Sequence, residues 1–155
     1  MQLTILPYRP ELQVHFERLN KAWLEAYFKV EPIDAYVLGN PEEAILKDGG
    51  AILFAAYADK IVGTVALKYI EPGLYELTKR AVDETYRGLG AGKAICAAAI
   101  DKARELGATK VLLYSQTGLQ AAIGIYRKLG FVEIPLEKGK YERADIKMEL
   151  PLVAQ

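Results

Sequence analysis

The chain has 155 residues, enough for one compact domain over residues 1–155. Hydrophobic residues make up 52% of it and charged residues 26%, which excludes wholesale disorder and a coiled coil. Twenty basic residues balance twenty acidic ones, so charge gives no reason to expect a nucleic-acid or membrane-surface partner. One cysteine and one histidine are too few for a disulfide or a zinc site, and we expect no metal. Without a signal-peptide pattern or an apolar run of spanning length, the sequence predicts a cytoplasmic protein.

The first third of the chain predicts one strand and two helices. Leu3 and Ile5 alternate with polar neighbours in an opening strand. Between residues 11 and 28, apolar side chains recur at steps of three and four, which predicts a helix with one buried face. Asn40 to Glu43 then supply a cap, a proline and an acidic first turn, which predict a short helix that ends near Gly49.

The remainder predicts a sheet interrupted by two helices. Segments 51–58, 61–70 and 74–82 are typical of three antiparallel strands joined by tight turns. Further strands are predicted at 110–114, 131–134 and 144–150. One helix is predicted to follow Gly92 and run to about residue 106, and another to cover 119–129. This order predicts an α/β fold: one central mixed, mostly antiparallel sheet of about six to seven strands with helices on both faces.

A glycine-rich segment between a strand and a helix is the most informative part of the sequence. It runs Arg87-Gly88-Leu89-Gly90-Ala91-Gly92-Lys93. Backbone N–H groups of such a turn, together with the helix dipole and the flanking cations, favour an anion such as a diphosphate. An ordinary strand-to-helix turn is the structural alternative. A P-loop is excluded because Arg87 replaces its first glycine and Ala94 its Ser or Thr, and a dinucleotide fingerprint because Lys93 replaces its third glycine.

Two motifs make the sequence recognisable. Residues 82–92 resemble the acyl-CoA-binding signature (Gln/Arg)-x-x-Gly-x-(Gly/Ala) of the GNAT superfamily of N-acyltransferases, and residues 122–131 resemble its Ala-x-x-x-Tyr-x-x-x-Gly-Phe segment. The resemblance implies the GNAT fold and acetyl-CoA as cosubstrate. It also implies that the backbone around Ala81 and Val82 contacts the pantetheine arm, that residues 87–93 bind the diphosphate, and that Tyr126 lies near the sulfur as general acid. Leu119 stands where many members have Asn, and Gln116 is a candidate replacement.

The chemistry of amide formation indicates two further roles. An amine must lose a proton before it attacks a thioester, and Glu76 is the candidate base, on the same strand face as Thr78 and Val82 by alternation. The structural alternative for Glu76 is an exposed strand carboxylate or an ion pair with Lys79 or Arg80. Cys96 lies on the apolar face of an alanine-rich helix, so we expect it to be an inert packing residue.

Aromatic residues near the first helix are candidates for the acceptor pocket, with plain packing as the alternative. They are Trp23, Tyr27, Phe28 and Tyr36. The sequence thus predicts an N-acetyltransferase that moves an acetyl group from acetyl-CoA to an amine of a small molecule in a ternary complex. A CoA-binding sensor or regulatory module without turnover is the alternative. Dimers are common in the family that the chain resembles, so a homodimer is among the expected states.

Overall fold

The computed structural model describes residues 3–86, 88–137 and 143–152. Its strands form one seven-stranded sheet in the order β1-β2-β3-β4-β5-β7-β6, antiparallel except where β4 meets β5. The strands are β1 (Leu3–Pro7), β2 (Ala51–Tyr57), β3 (Lys60–Glu71), β4 (Leu74–Val82), β5 (Lys110–Ser115), β6 (Val132–Ile134) and β7 (Ile146–Pro151). The predicted mixed, mostly antiparallel sheet of about six to seven strands is confirmed.

Helices cover both faces of the sheet, also as predicted. They are α1 (Gln13–Tyr27), α2 (Pro32–Gly39), α3 (Ala91–Glu105) and α4 (Gln120–Lys128). Side chains of α1 and α2 pack with Ile52, Phe54 and Ala66 on one face. Side chains of α3 and α4 pack on the other face with the alternate residues of the same strands, Leu53 among them. None of the helices in the described part of the chain is long and apolar enough to cross a membrane.

The parallel pair β4 and β5 separates after a short contact. The two strands are in register only from Leu74 opposite Lys110 to Glu76 opposite Leu112. Beyond that point β4 continues to Val82 and β5 to Ser115 without pairing to each other. The edge of β4 from Leu77 to Val82 therefore faces an opening in the middle of the sheet, with its backbone groups on that side available to a ligand.

A bulge in β4 reverses the alternation of its side chains. Lys79 has φ 55°, a left-handed conformation that is uncommon for a residue with a Cβ, and the register with β3 shifts there. Before the bulge, Leu77 packs into the α3/α4 face and Thr78 points to the α1 face. After it, Val82 packs on the α3/α4 face. The prediction that Glu76, Thr78 and Val82 share a face is therefore wrong for Val82.

The region between α1 and β2 differs from its prediction. The sequence predicted one short helix from residue 40, whereas α2 already runs over Pro32–Gly39 and a single π-type turn follows at Glu42–Leu46. Asn40 does not cap that turn. It ends α2, and its side-chain amide donates to the carbonyl of Tyr36. Pro32 begins α2, because proline fits the first turn of a helix as well as the chain after one.

Candidate active site

A cavity of about 980 Å³ fills the opening between β4 and β5. Its lining comes from both faces of the sheet: α1 on one side, and the start of α3 and most of α4 on the other. Eleven of the predicted catalytic, cofactor-binding and acceptor residues line it: Trp23, Tyr27, Phe28, Glu76, Val82, Gly88, Gly90, Ala91, Gly92, Lys93 and Tyr126. Ala81, Leu89 and Tyr36 are not part of the lining, and Arg87 lies outside the described residues.

The glycine turn presents open backbone donors to this cavity. Gly88 has φ +93° and Gly90 φ +77°, so both adopt the left-handed conformation that glycine tolerates best. Gly90 caps α3, whose first intrahelical bond runs from Ala94 N to Gly90 O at 3.0 Å. The N–H groups of the three preceding helical residues therefore have no acceptor within the helix. This is a site suited to an anion at a helix N-terminus.

Tyr126 lies deep on the α4 side of the cavity. Its side chain is 6% exposed, and its ring contacts Phe131 edge to face at 5.8 Å between centroids. Burial raises the pKa of Tyr126 to about 12, although the nearby charge of Arg80 acts in the opposite direction. A thiol has a pKa of about 8.5, so complete proton transfer from Tyr126 to a thiolate is uphill by about 5 kcal/mol. The hydroxyl is suited to donate a hydrogen bond and keep its proton.

Glu76 lies on the opposite side of the sheet from Tyr126. Its side chain is 2% exposed and lines the cavity beside Thr78 on the α1 face. Because the cavity passes through the opening between the strands, a carboxylate on one face and a hydroxyl on the other reach the same space. The predicted acid and base candidates are thus brought together by the separation of β4 from β5.

Three of the four predicted aromatic residues form one wall of the cavity. Trp23 lies 5.8 Å from Tyr27 and 5.4 Å from Phe28 between ring centroids. The Tyr27 hydroxyl donates to Glu84 Oε1 at 2.8 Å. Tyr36 lies elsewhere: it is 43% exposed, and its hydroxyl donates to Glu43 Oε1 at 2.6 Å. Its position on α2, which the sequence did not predict, turns it away from the cavity.

A buried carboxylate that sequence reasoning missed supports this aromatic wall. Asp34 of α2 is 1% exposed. It accepts from both Nη atoms of Arg143 at 2.8 and 3.1 Å, from Lys79 Nζ at 3.1 Å and from the Glu31 backbone N–H at 3.0 Å. Burial alone would raise the pKa of Asp34, but these donors outweigh it and bring the pKa to about 2. We call Asp34, Glu31, Lys79 and Arg143 the Asp34 clasp.

The Asp34 clasp joins three distant parts of the chain beside the aromatic wall of the cavity. Lys79 belongs to the β4 bulge, and the guanidinium carbon of Arg143, which precedes β7, lies 5.9 Å from the ring centre of Phe28. Arg143 also donates to Glu31 Oε2 at 3.0 Å. No sequence signal would have identified the clasp, because its partners are up to 112 residues apart.

The other basic residue next to the bulge is Arg80, whose side chain points to the opposite face. Its guanidinium carbon lies 5.9 Å from the ring centre of Tyr126. A Cβ at Gly92 would overlap Arg80 Nη2, so the third glycine of the turn leaves space for this guanidinium. Arg80 Nε is buried and has no hydrogen-bond acceptor among the described residues.

Cys96, Leu119 and Gln116 are the remaining candidate residues from the sequence. Cys96 is fully buried, and burial raises the pKa of its thiol, with Arg80 acting in the opposite direction. This agrees with the predicted packing role. Leu119 precedes α4 and lines the cavity, as does Gln116, the candidate replacement for the missing Asn.

Comparisons with known proteins define the class. Residues 16–131 match the Acetyltransferase (GNAT) family, so the chain belongs to this family. It is 35% identical over 80 residues to a mycothiol acetyltransferase of Corynebacterium glutamicum, a match that covers 52% of the chain and only 27% of that relative.

Solved structures agree on the fold. A GNAT-family acetyltransferase of Staphylococcus aureus superposes with a TM-score of 0.86 at 23% identity, covering 98% of this chain and 100% of that one. A putative acetyltransferase from Salmonella typhimurium with its cofactor acetyl-CoA gives a TM-score of 0.76 at 19% identity, covering 99% and 95%.

Proposed function

We propose that the chain transfers an acetyl group from acetyl-CoA to the amine of a small molecule, directly within a ternary complex. The observation that carries this proposal is one cavity through the sheet, lined by a helix N-terminus, a buried tyrosine and a buried carboxylate. Its volume is within the usual range for small-molecule sites, which supports a small acceptor.

The donor end of the cavity fits coenzyme A. The open N–H groups at the start of α3 and the exposed Lys93 are suited to hold a diphosphate. The unpaired edge of β4 is suited to hydrogen-bond the amides of the pantetheine arm, as another strand would. Acetyl-CoA supplies a thioester whose carbonyl carbon reacts with amines. Similarity to a structure with its cofactor acetyl-CoA supports the same donor here.

The acceptor end supplies a base. An amine with a pKa near 10 arrives as an ammonium ion at neutral pH and has no lone pair to react. Glu76 takes its proton directly or through one water molecule. The aromatic wall of Trp23, Tyr27 and Phe28 binds the apolar part of the acceptor, and the Asp34 clasp holds that wall in position.

Tyr126 assists departure of the sulfur by hydrogen bonding. With its pKa at about 12, the hydroxyl remains protonated at neutral pH. It therefore donates to the sulfur when negative charge develops there. Cys96 takes no part, because a buried thiol with a raised pKa is a poor nucleophile. Transfer is accordingly direct, without an acetylated enzyme.

Release of free thiol from acetyl-CoA, measured across a panel of amino acids, polyamines, aminoglycosides and aromatic amines, tests the proposal. We expect amine-dependent thiol release with at least one panel member, and loss of most of it in Tyr126→Phe. The alternative is a sensor that binds CoA without turnover. It is favoured if calorimetry shows CoA binding while no amine accelerates thiol release above hydrolysis.

A further inference from the structure

Arg80 is a charged group that the proposed mechanism leaves without a role. Two other cations that line the cavity, Lys79 and Arg143, bind the carboxylate of Asp34. Among the residues that the structure describes, no carboxylate forms an ion pair with Arg80. A half-buried guanidinium without a counter-charge is unfavourable unless a ligand brings one.

The position of Arg80 indicates which negative charge that is. Its side chain reaches the interior of the cavity between Gly92 and the ring of Tyr126, and its Nε is excluded from solvent. The glycine turn, in contrast, has Gly88, Gly90 and Lys93 exposed, so a diphosphate held there lies near water. Arg80 therefore lies between the first turn of α3 and the ring of Tyr126, whose hydroxyl the proposed function assigns to the sulfur.

We propose that Arg80 is a further catalytic residue, whose guanidinium binds the sulfur of coenzyme A and stabilises it as a thiolate. This inference rests on the proposed function. In the transfer, the amine nitrogen forms a bond to the carbonyl carbon, the C–S bond breaks, and its electron pair stays on sulfur. The amine proton goes to Glu76 or water. The thiolate leaves with Arg80 and Tyr126 as donors and takes a proton from solvent after release.

Two features of the site support this role. Burial raises the pKa of Tyr126 and so disfavours proton transfer to sulfur, and a guanidinium 5.9 Å from its ring centre is placed to stabilise negative charge on the leaving group. The thiol of Cys96 lies beside the same guanidinium, which acts to lower its pKa against the effect of burial. The titratable groups nearest Arg80 are thus Cys96 on α3 and Tyr126 on α4. Glu76, Asp83, Glu84 and Lys93 line the same cavity.

The test compares the binding of coenzyme A with that of desulfo-coenzyme A, in which hydrogen replaces the thiol, by calorimetry between pH 6 and 9.5. A bound thiol pKa below the free value of about 8.5 strengthens coenzyme A binding as pH rises through this window. One pKa unit corresponds to a tenfold gain. For the wild type we expect about a tenfold rise in the affinity ratio of the two ligands. Because both ligands carry the same phosphates, any effect of phosphate titration on affinity cancels in this ratio.

Variants assign the effect to Arg80. In Arg80→Met the affinity ratio should be flat with pH, and in Arg80→Lys part of the rise should remain. Lys93→Met is the matched control, since loss of an exposed cation near the diphosphate should weaken both ligands equally. Thermal unfolding checks that each variant is folded.

Three outcomes overturn the inference. The first is an affinity ratio that does not change with pH in the wild type. The second is a rise of this ratio with pH that is unchanged in Arg80→Met. The third is an equal loss of affinity for both ligands in Arg80→Met, which would indicate a role at the diphosphate or in packing. In each of these cases coenzyme A still binds and the proposed function stands. Failure of the wild type to bind either ligand would overturn the proposed function instead.

Discussion

The two ends of the cavity are built by different means. The donor end consists mainly of backbone: a left-handed glycine turn, the first N–H groups of α3 and the unpaired edge of β4. The acceptor end consists of side chains from α1, α2, β4 and the residue before β7, held by the Asp34 clasp. A backbone site depends on few residue identities and suits a constant ligand. A site made of side chains depends on many residue identities and suits an acceptor that differs between relatives.

The largest expected effect is at the donor end. Tyr126→Phe removes only the hydroxyl, so we expect kcat to fall by about 10²-fold, a typical contribution of a positioned donor, while the Kd of coenzyme A stays unchanged. Thiol release and calorimetry measure the two quantities. Tyr75→Phe is the control, because Tyr75 is buried in the same core cluster and does not line the cavity. Wild-type turnover in Tyr126→Phe would remove this residue from the mechanism.

At the acceptor end, Asp34→Asn should act first on stability. The substitution leaves Arg143 and Lys79 without their shared carboxylate. Because these cations are partly buried, we expect the free energy of unfolding at pH 7 to fall by about 2 kcal/mol, which changes the unfolding equilibrium by about 30-fold. Acceptor KM should rise while the Kd of coenzyme A stays the same. Urea unfolding measures the stability. Asp101→Asn is the control, because Asp101 is exposed and surface ion pairs contribute little.

The pH dependence gives a second check on the clasp. The pKa of Asp34 is about 2 in the folded chain and about 3.9 in an unfolded one. The ionised carboxylate therefore contributes its full amount to the free energy of unfolding above about pH 4, and this contribution is lost as the pH falls toward 2. The stability difference between wild type and Asp34→Asn should therefore shrink over that range. A difference that stays constant down to pH 2 would contradict the assignment.

A smaller effect tests whether the donor end depends on backbone. Gly90→Val places a β-branched side chain at φ +77° and next to the open N–H groups, so the affinity for coenzyme A should fall at least tenfold. Gly107→Val carries the same left-handed strain at φ +87°, in open space away from the cavity. It should lower stability and leave affinity unchanged. Equal affinities in all three proteins would show that the turn does not bind the diphosphate.

The smallest expected effect concerns the base. Glu76→Gln should lower kcat about fivefold at mildly acidic pH, where the amine is almost fully protonated, and the defect should shrink at high pH, where free amine is plentiful. Cys96→Ala should leave kcat within about twofold, since this thiol only packs. If the pH–rate profiles of Glu76→Gln and wild type superimpose, Glu76 is not the base. If mass spectrometry finds an acetylated Cys96, the transfer is not direct.

The strands and helices that form the donor end were predictable from sequence because their signals are local. Glycine spacing, the alanine-rich face of α3 and the segment around Tyr126 lie in short contiguous stretches, and the structure confirms the strands and helices that carry them. At the acceptor end the decisive features are not local. The bulge requires Lys79 in a conformation that its residue type disfavours, and the clasp joins residues more than 100 positions apart. Helix α2 was missed because Pro32 was interpreted only as the end of the preceding helix.

The early separation of β4 from β5 also has a kinetic consequence. The cavity is lined from both faces of the sheet, so under the proposed function we expect donor and acceptor to approach from opposite faces and meet between β4 and β5. Neither substrate blocks the approach of the other. We therefore expect initial-rate kinetics to show random order of addition, with spent coenzyme exchanging for fresh acetyl-CoA while an acceptor stays bound.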